Sequence, residues 1–266
     1  MKTACCLFLL AAACSAAPAF ATTLFFAGDS TLDDHHRKPN TPYASWGTEL
    51  ERHMKAGNKV DNHARSGASA KSFVADGCWA KMIARVRPGD FVVIQFGHND
   101  QKHSTEFYRA KRFTSVNGTY EEYYTRFVSE VRAKGATPMF ATSIVRGTFD
   151  ASGKKLVDGR DKEGINLRSY ADAAIALGKK LNVDVVDMNT LTHDLLEKVG
   201  KDDSMKFFII STGLVKGHFH QEALQFFTFC YKGGVICISE VIDISPSNLE
   251  SSLCFIQSSI SHGVLC

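Results

Sequence analysis

The sequence predicts a three-layer α/β/α sandwich built on a parallel sheet. Three observations carry this. Short, nearly continuous apolar runs alternate with longer amphipathic stretches, and runs apolar at every position suit strands covered on both faces. The intervals between the runs are long enough for helical crossovers between parallel strands. Two of the runs end in glycine-led polar turns, and open parallel sheets gather their functional residues beyond the carboxyl ends of their strands.

Leu24-Phe25-Phe26-Ala27 is a short apolar run that ends in Gly28-Asp29-Ser30, so it reads as a buried strand entering a turn. Residues 46–56 carry Trp46, Leu50 and Met54 at four-residue intervals, a helical pattern stopped by Gly57-Asn58. Residues 60–64 predict a second short strand. Residues 91–96 (Phe-Val-Val-Ile-Gln-Phe) are the clearest strand, entered through Pro88-Gly89-Asp90 and left at Gly97. Residues 120–134 predict a helix with apolar positions at Tyr120, Tyr124, Phe127, Val128 and Val131, closed by Gly135. A strand follows over 138–144, an Ala/Leu-rich helix over 167–181, a strand over 183–186 and a helix over 191–199. No internal repeat and no Pro/Ser-rich linker divides this region.

The 266 residues fit one ordinary α/β domain with a small appendage, and 44% hydrophobic with 22% charged residues describes a globular chain. A net charge of +3, with no dense Lys/Arg stripe, does not call for nucleic acid. The first 21 residues read as a signal peptide: Lys2, an apolar core over 7–13, and Ala19-Phe20-Ala21 as an A-x-A cleavage site. With that segment set aside, no apolar run is long enough to cross a bilayer. The expected product is secreted or periplasmic, begins at Thr22 and has no membrane contact. It keeps five cysteines, with no C-x-x-C and no zinc-type Cys/His spacing.

Three short segments carry the chemistry. Ser30 follows the first strand directly. A serine becomes a nucleophile when a base takes its proton and donors await the oxyanion, although most Gly-Asp-Ser triplets are turns or helix caps. Gly97-His98-Asn99-Asp100 closes the strongest strand and offers the Asn99 amide as a donor, or a simple polar turn. Ser66-Gly67-Ala68-Ser69 lies between them, and Gly67 either presents a backbone N–H where a side chain would obstruct a ligand or is an ordinary loop glycine.

Together these segments resemble the SGNH (GDSL-type) hydrolase superfamily, and within it the rhamnogalacturonan acetylesterase branch, over about residues 24–218. The resemblance is carried by Phe26-Ala27-Gly28-Asp29-Ser30-Thr31, Trp46-Gly47, Asn62-His63-Ala64-Arg65-Ser66-Gly67 and the long stretch from Arg87 to Lys102. It implies the flavodoxin-like form of the sandwich. It implies Ser30 as nucleophile, with its own N–H, the N–H of Gly67 and the side-chain amide of Asn99 as oxyanion donors. The implied reaction is transfer of an acetyl group to water through an acyl-enzyme, without metal or organic cofactor. The implied substrate is an acetylated oligo- or polysaccharide; the oligomeric state stays open. Tyr43, Trp46, Phe73 and Trp79 are candidates for stacking on sugars, set against the commoner fate of such rings in a core.

The superfamily completes its site with a late Asp-x-x-His, and none occurs after residue 187. Asp33-Asp34-His35-His36 has the spacing but follows Ser30 at once, and reads as a solvated loop. His218, His220 and His262 remain, read as surface or loop residues, and His193 reads as a capping or surface residue. The composition changes at the same place. Residues 22–218 hold 29 Lys/Arg and 24 Asp/Glu, whereas 219–266 hold one Lys, four acids and four of the eight cysteines. The segment 219–266 therefore reads as a divergent tail, from a frame change, an altered gene end or a gene-prediction error, with a genuine divergent extension as the alternative; in either case the superfamily's terminal helix is missing. Two further readings stay open: a non-catalytic glycan-binding remnant, and an esterase of lipid or other acyl esters. Reading the encoding DNA in its other two frames past codon 218 is expected to reveal an Asp-x-x-His followed by an amphipathic helix; its absence from both frames removes the frame-change account.

Overall fold

A computed structural model describes residues 22–33, 45–50, 54, 57–157, 166–204, 208–211 and 214–219. The expectations for residues 1–21, for Asp34, His35, His36 and Tyr43, and for 220–266 lie outside the described residues. In chain order the elements are β1 (Thr23–Gly28), α1 (Trp46–Glu49), β2 (Lys59–Asn62), α2 (Ala70–Ala75), α3 (Cys78–Ile83), β3 (Phe91–Gln95), α4 (Glu106–Lys111), α5 (Thr119–Ala133), β4 (Thr137–Ala141), α6 (Leu167–Leu181), β5 (Asp184–Val186) and α7 (Met188–Ser204). A two-stranded antiparallel pair, β6 (Phe208–Ser211) and β7 (Leu214–Phe219), follows.

The main sheet has the order β2-β1-β3-β4-β5 and every pairing is parallel. The chain leaves β1 toward β2 on one side and then crosses to β3 on the other. Between β1 and β3 the strand order therefore reverses, and the crossovers on the two sides open a crevice above the strand ends.

Alternation along each strand builds two cores. Phe25 and Ala27, Val92 and Ile94, and Phe140 face a cluster completed by Phe73, Trp79, Tyr120, Tyr124, Phe127 and Tyr170. Leu24 and Phe26, Phe91 and Val93, and Met139 and Ala141 face a second one with Trp46, Leu50, Met188 and Leu196. Both faces being covered explains why the strands read as unbroken apolar runs. It also settles the aromatic candidates. Trp46, Phe73 and Trp79 are buried core residues rather than sugar platforms.

The strand starts and ends are set by side chains. Asp90 Oδ1 accepts from the Thr23 N–H (3.0 Å) and Oδ2 from the Arg87 N–H (2.8 Å), while its carbonyl accepts from the Thr137 N–H (2.9 Å). One residue thus aligns the starts of β1, β3 and β4. At the far end, β3 stops one residue short of the predicted Phe96. The Phe96 carbonyl accepts hydroxyls from Tyr120 (3.0 Å), Ser143 (3.1 Å) and Tyr124 (3.4 Å), and its N–H donates to Tyr124 (2.8 Å). β4 ends at Ala141 instead of residue 144 because Asn189 and Asp187 take over its polar groups through Ser143 and Thr142.

The helices over 120–134 and 167–181 appear within a residue of their predicted bounds. α7 starts three residues earlier than predicted and contains a non-helical Gly200. Helix 46–56 is described only as α1 and Leu50. Three short helices, α2, α3 and α4, were not expected; each has six residues and too few turns for a periodic signal.

Gly178 lies inside α6, where alanine is the better helix former by about 1 kcal/mol. A Cβ there would overlap Val185 Cγ2 and stand 3.0 Å from the Val183 carbonyl oxygen. The helix lies close against β5 because residue 178 has no side chain. Gly178→Ala is expected to lower stability by about 1–3 kcal/mol through forced separation of α6 from the sheet, measured by urea unfolding.

Candidate active site

The sheet register brings the three segments singled out above to one level. Gly28 pairs with Gln95, and the Arg65 N–H donates to the Gly28 carbonyl at 3.0 Å. Residues 30, 67 and 97 thus each stand two positions beyond one line drawn across the sheet, above the β1/β3 crevice.

Ser30 is partly exposed between two buried neighbours. Asp29 Oδ1 accepts from both the N–H and the hydroxyl of Thr31, each at 2.9 Å, closing a turn around Ser30. The Thr31 hydroxyl accepts from Gln95 Nε2 (3.1 Å), and Gln95 Oε1 accepts from Trp46 Nε1 (3.1 Å). The turn that carries Ser30 is thereby fixed to β3 and α1 by a buried polar chain, in which every bond raises the cost of displacing the others.

The Gly67 loop is tied down on both sides. Asp33 Oδ2 accepts from the N–H (2.9 Å) and hydroxyl (2.5 Å) of Ser66. On the other side Asn99 Nδ2 donates to the Ala68 carbonyl (2.9 Å), and Asp100 Oδ1 accepts from the Ala70 N–H (3.0 Å). Gly67 has φ +79°, and a Cβ there would stand 3.0 Å from Arg112 Nη2. Conformation and space both favour glycine at this position. Ser69 then caps α2 with its hydroxyl on the Ser72 N–H.

Asn99 is buried, and its amide orientation is fixed by its partners. Oδ1 accepts from Lys102 Nζ (2.7 Å) and Arg112 Nη1 (3.3 Å). Two cations on the amide oxygen draw electron density from the nitrogen and make its hydrogens stronger donors. The nitrogen carries two hydrogens; the bond to Ala68 uses one. Arg146 adds a third cation, its Nη2 donating to the carbonyl of His98 at 3.2 Å.

Two carboxyl groups lie beneath these cations. Asp29 and Asp100 are fully buried, and among the described residues Oδ2 of each has no hydrogen-bond partner. Burial pushes the Asp29 carboxyl above its ordinary value, against the opposing pull of Thr31, Arg146 and Lys102. Burial, reinforced by the nearby Asp29 charge, raises Asp100 to about 7, although Ala70 and Thr114 donate to it. Lys102 is half-buried and held below its ordinary value, first by burial and then by Arg146 and Arg112.

The structure thus brings together Ser30, Gly67 and Asn99. It also adds Asp100, Lys102, Arg112 and Arg146, which sequence reasoning did not assign. Asp100 and Lys102 stand inside the long motif and were legible there in principle; nothing local marks the two arginines. The described histidines have other engagements. His98 Nε2 contacts the Ile144 carbonyl (2.7 Å), His103 Nδ1 the Gln101 carbonyl (2.9 Å), and His63 lies 3.1 Å from Asp61 without hydrogen-bond alignment. His193 lies in the first half of α7, not at a helix start, and pairs with Asp194 and Glu197. For residue 218 the strand β7 is described; His220 and His262 lie outside the described residues.

Residues 26–208 match the GDSL-like lipase/acylhydrolase family. The chain is 37% identical over 186 residues to rhamnogalacturonan acetylesterase RhgT of Bacillus subtilis, covering 70% of this chain and 73% of that one. It is 26% identical over 197 residues to the probable rhamnogalacturonan acetylesterase YesY of the same organism, covering 73% and 82%. Among solved structures, protein YxiM of Bacillus subtilis superimposes with a TM-score of 0.61 at 22% identity, covering 77% of this chain and 53% of that one. The chain thus spans about half the length of that structure, and the likeness confirms the three-layer α/β fold.

A carboxyl whose pKa is raised in the folded state destabilises that state as it ionises. For Asp100 the penalty is absent below the ordinary value of 3.8, grows as pH rises and is complete above about 7. Each unit of displacement corresponds to about 1.4 kcal/mol. Asp100→Asn retains an acceptor for Ala70 and Thr114 but cannot ionise. Its stability, measured by urea unfolding, is expected to fall less between about pH 4 and pH 7 than that of the parent. Parallel pH profiles would show that Asp100 does not carry this penalty.

Proposed function

The chain belongs to the GDSL-like lipase/acylhydrolase family and is a carboxylic ester hydrolase, and from that premise we propose that it removes acetyl groups from a carbohydrate of the pectin or rhamnogalacturonan type. The acetyl and sugar classes are supported by the similarity to the rhamnogalacturonan acetylesterase RhgT and the probable rhamnogalacturonan acetylesterase YesY. The observation that carries the chemistry is the convergence of Ser30, Gly67 and Asn99 at the β1/β3 crevice, with the Asn99 amide held in donor orientation by Lys102, Arg112 and Ala68.

In this reading the Ser30 hydroxyl attacks the acetyl carbonyl. The oxyanion that forms is met by the N–H groups of Ser30 and Gly67 and by the free hydrogen of Asn99 Nδ2. These donors are positioned beforehand by the Asp29–Thr31 turn and by the Asp100 and Asn99 bonds to the Gly67 loop, so little reorganisation accompanies the reaction. Collapse expels the sugar hydroxyl and leaves an acetyl-serine; water then attacks the same carbonyl and releases acetate. The proton of Ser30 needs a base. Without the Asp-x-x-His, attack is slow at neutral pH, since donors and binding alone retain roughly 10³–10⁴-fold acceleration over water in serine hydrolases of this logic. Export is part of the same proposal, supported by the leader-like residues 1–21.

The missing motif favours one second reading, a glycan-binding protein that has kept the donor set and lost turnover. One assay separates the two. Acetate release from acetylated pectin fragments and 4-nitrophenyl acetate is expected to depend on Ser30, to vanish in Ser30→Ala, to fall about 10²–10³-fold in Asn99→Ala, and to rise with added imidazole as a substitute base. Equal rates for the parent and Ser30→Ala, with pectin fragments still bound, would establish the binding protein instead.

A further inference from the structure

Among the described residues three large apolar side chains are exposed: Phe107, Val157 and Leu191. One exposed apolar side chain is ordinary in itself. Phe107 is the aromatic one and, at 58%, the most exposed of the three. What sets it apart is its place.

Phe107 belongs to α4, which stands at the rim of the donor set. Arg112, the residue that ends this helix, reaches in three directions. Its Nη1 donates to Asn99 Oδ1 (3.3 Å), its Nη2 stands 3.0 Å from where a Cβ on Gly67 would be, and its Cζ lies 5.9 Å from the centre of the Phe107 ring. One guanidinium therefore separates the Phe107 ring from two of the candidate oxyanion donors, so the ring stands about one sugar unit away from them.

The ring is also held. Tyr108 packs edge-on against it, 5.6 Å between ring centres, and lies under both cations that hold Asn99, 5.9 Å from Lys102 Nζ and 5.4 Å from Arg112 Cζ. Cations this near a ring face attract it. The Thr105 hydroxyl accepts from the Tyr108 N–H (3.2 Å), Arg109 Nη1 donates to the His103 carbonyl (2.9 Å), and Lys71 Nζ donates to the Arg109 carbonyl (3.4 Å). A ring fixed in this way loses little freedom when a ligand covers it. Its face carries partial negative charge and attracts C–H groups made slightly positive by neighbouring oxygens. The flat faces of a pyranose present such groups, whereas a small acetate ester is too short to reach from the donors to the ring.

We propose that Phe107 is the platform on which the sugar unit next to the acetylated one stacks, and thereby the residue through which this site favours a carbohydrate ester over a small acyl ester. The proposal rests on the carbohydrate part of the proposed function. It gives the stacking role to a ring at the rim in place of Trp46, Phe73 and Trp79, which the core has claimed.

The test measures binding and needs no turnover. An unacetylated rhamnogalacturonan tetrasaccharide is titrated calorimetrically into the Ser30→Ala protein and into the same protein carrying Phe107→Ala, Phe107→Leu or Phe107→Trp, with proton spectra of the sugar recorded alongside. Phe107→Ala and Phe107→Leu are expected to bind about tenfold more weakly, and Phe107→Trp at least as tightly as the Ser30→Ala protein. The difference is expected to persist at raised salt, because stacking involves no ion pair. Sugar ring protons are expected to move upfield under the ring current of Phe107 or its tryptophan replacement, and to stay in place with leucine. Leucine keeps apolar area without a ring, so binding by Phe107→Leu as tight as by the Ser30→Ala protein overturns the platform. Absence of tetrasaccharide binding, or a Phe107→Ala effect confined to oligomeric state in gel filtration, also overturns it. If Phe107→Ala unfolds, the leucine and tryptophan variants and the upfield displacement decide. The acetate assay reports separately: Ser30-dependent release with binding indifferent to Phe107 leaves the esterase and removes the platform, and Phe107-dependent binding without release does the reverse.

Discussion

Two buried carboxyl groups at the ends of neighbouring strands hold this site in place. Asp29 follows β1 directly and closes the turn around Ser30; Asp100 lies beyond the end of β3 and ties the Gly67 loop to it. Each does this with Oδ1, while Oδ2 meets no hydrogen-bond donor among the described residues. Burying a polar oxygen without a partner costs stability, so the fold is locally worse than it would be with apolar residues there. What is gained is geometry. Loops are ordinarily the loosest part of an α/β domain, yet here the loops carrying Ser30, Gly67 and Asn99 are bonded to one another before any ligand arrives.

How much of this was legible in the sequence follows from how local each determinant is. Strands covered on both faces announce themselves as continuous apolar runs, so β1 and β3 were readable. Their exact ends were not, because the Phe96 carbonyl is claimed by Tyr120, Tyr124 and Ser143, residues far away in the chain. Ser30, Gly67 and Asn99 were readable because each sits in a motif whose backbone demands are written in adjacent residues. Arg112 and Arg146 were invisible for the opposite reason: their roles come from folding against Gly67, Asn99 and His98, and an isolated arginine in a loop carries no sign of its destination. The aromatics show the same limit, since Trp46, Phe73 and Trp79 fit a sugar platform or a core equally well until packing places them in the core.

Net charge misleads in a related way. A total of +3 suggests an almost neutral chain. Yet Lys102, Arg112 and Arg146 gather at one strand end, above acids that burial holds toward neutrality. The field that a ligand meets depends on which charges are desolvated and which are paired, and that is a property of the fold.

Among the described residues, the groups shown to fix the Ser30 turn, the Gly67 loop and Asn99 lie between residues 29 and 146, whereas α6, β5 and α7 come later in the chain. A growing polypeptide tends to organise from its amino end. The candidate oxyanion donors of the crevice are therefore all on the nascent chain before α6, β5 and α7 have been translated, and changes in the later segments act on a set of donors already made.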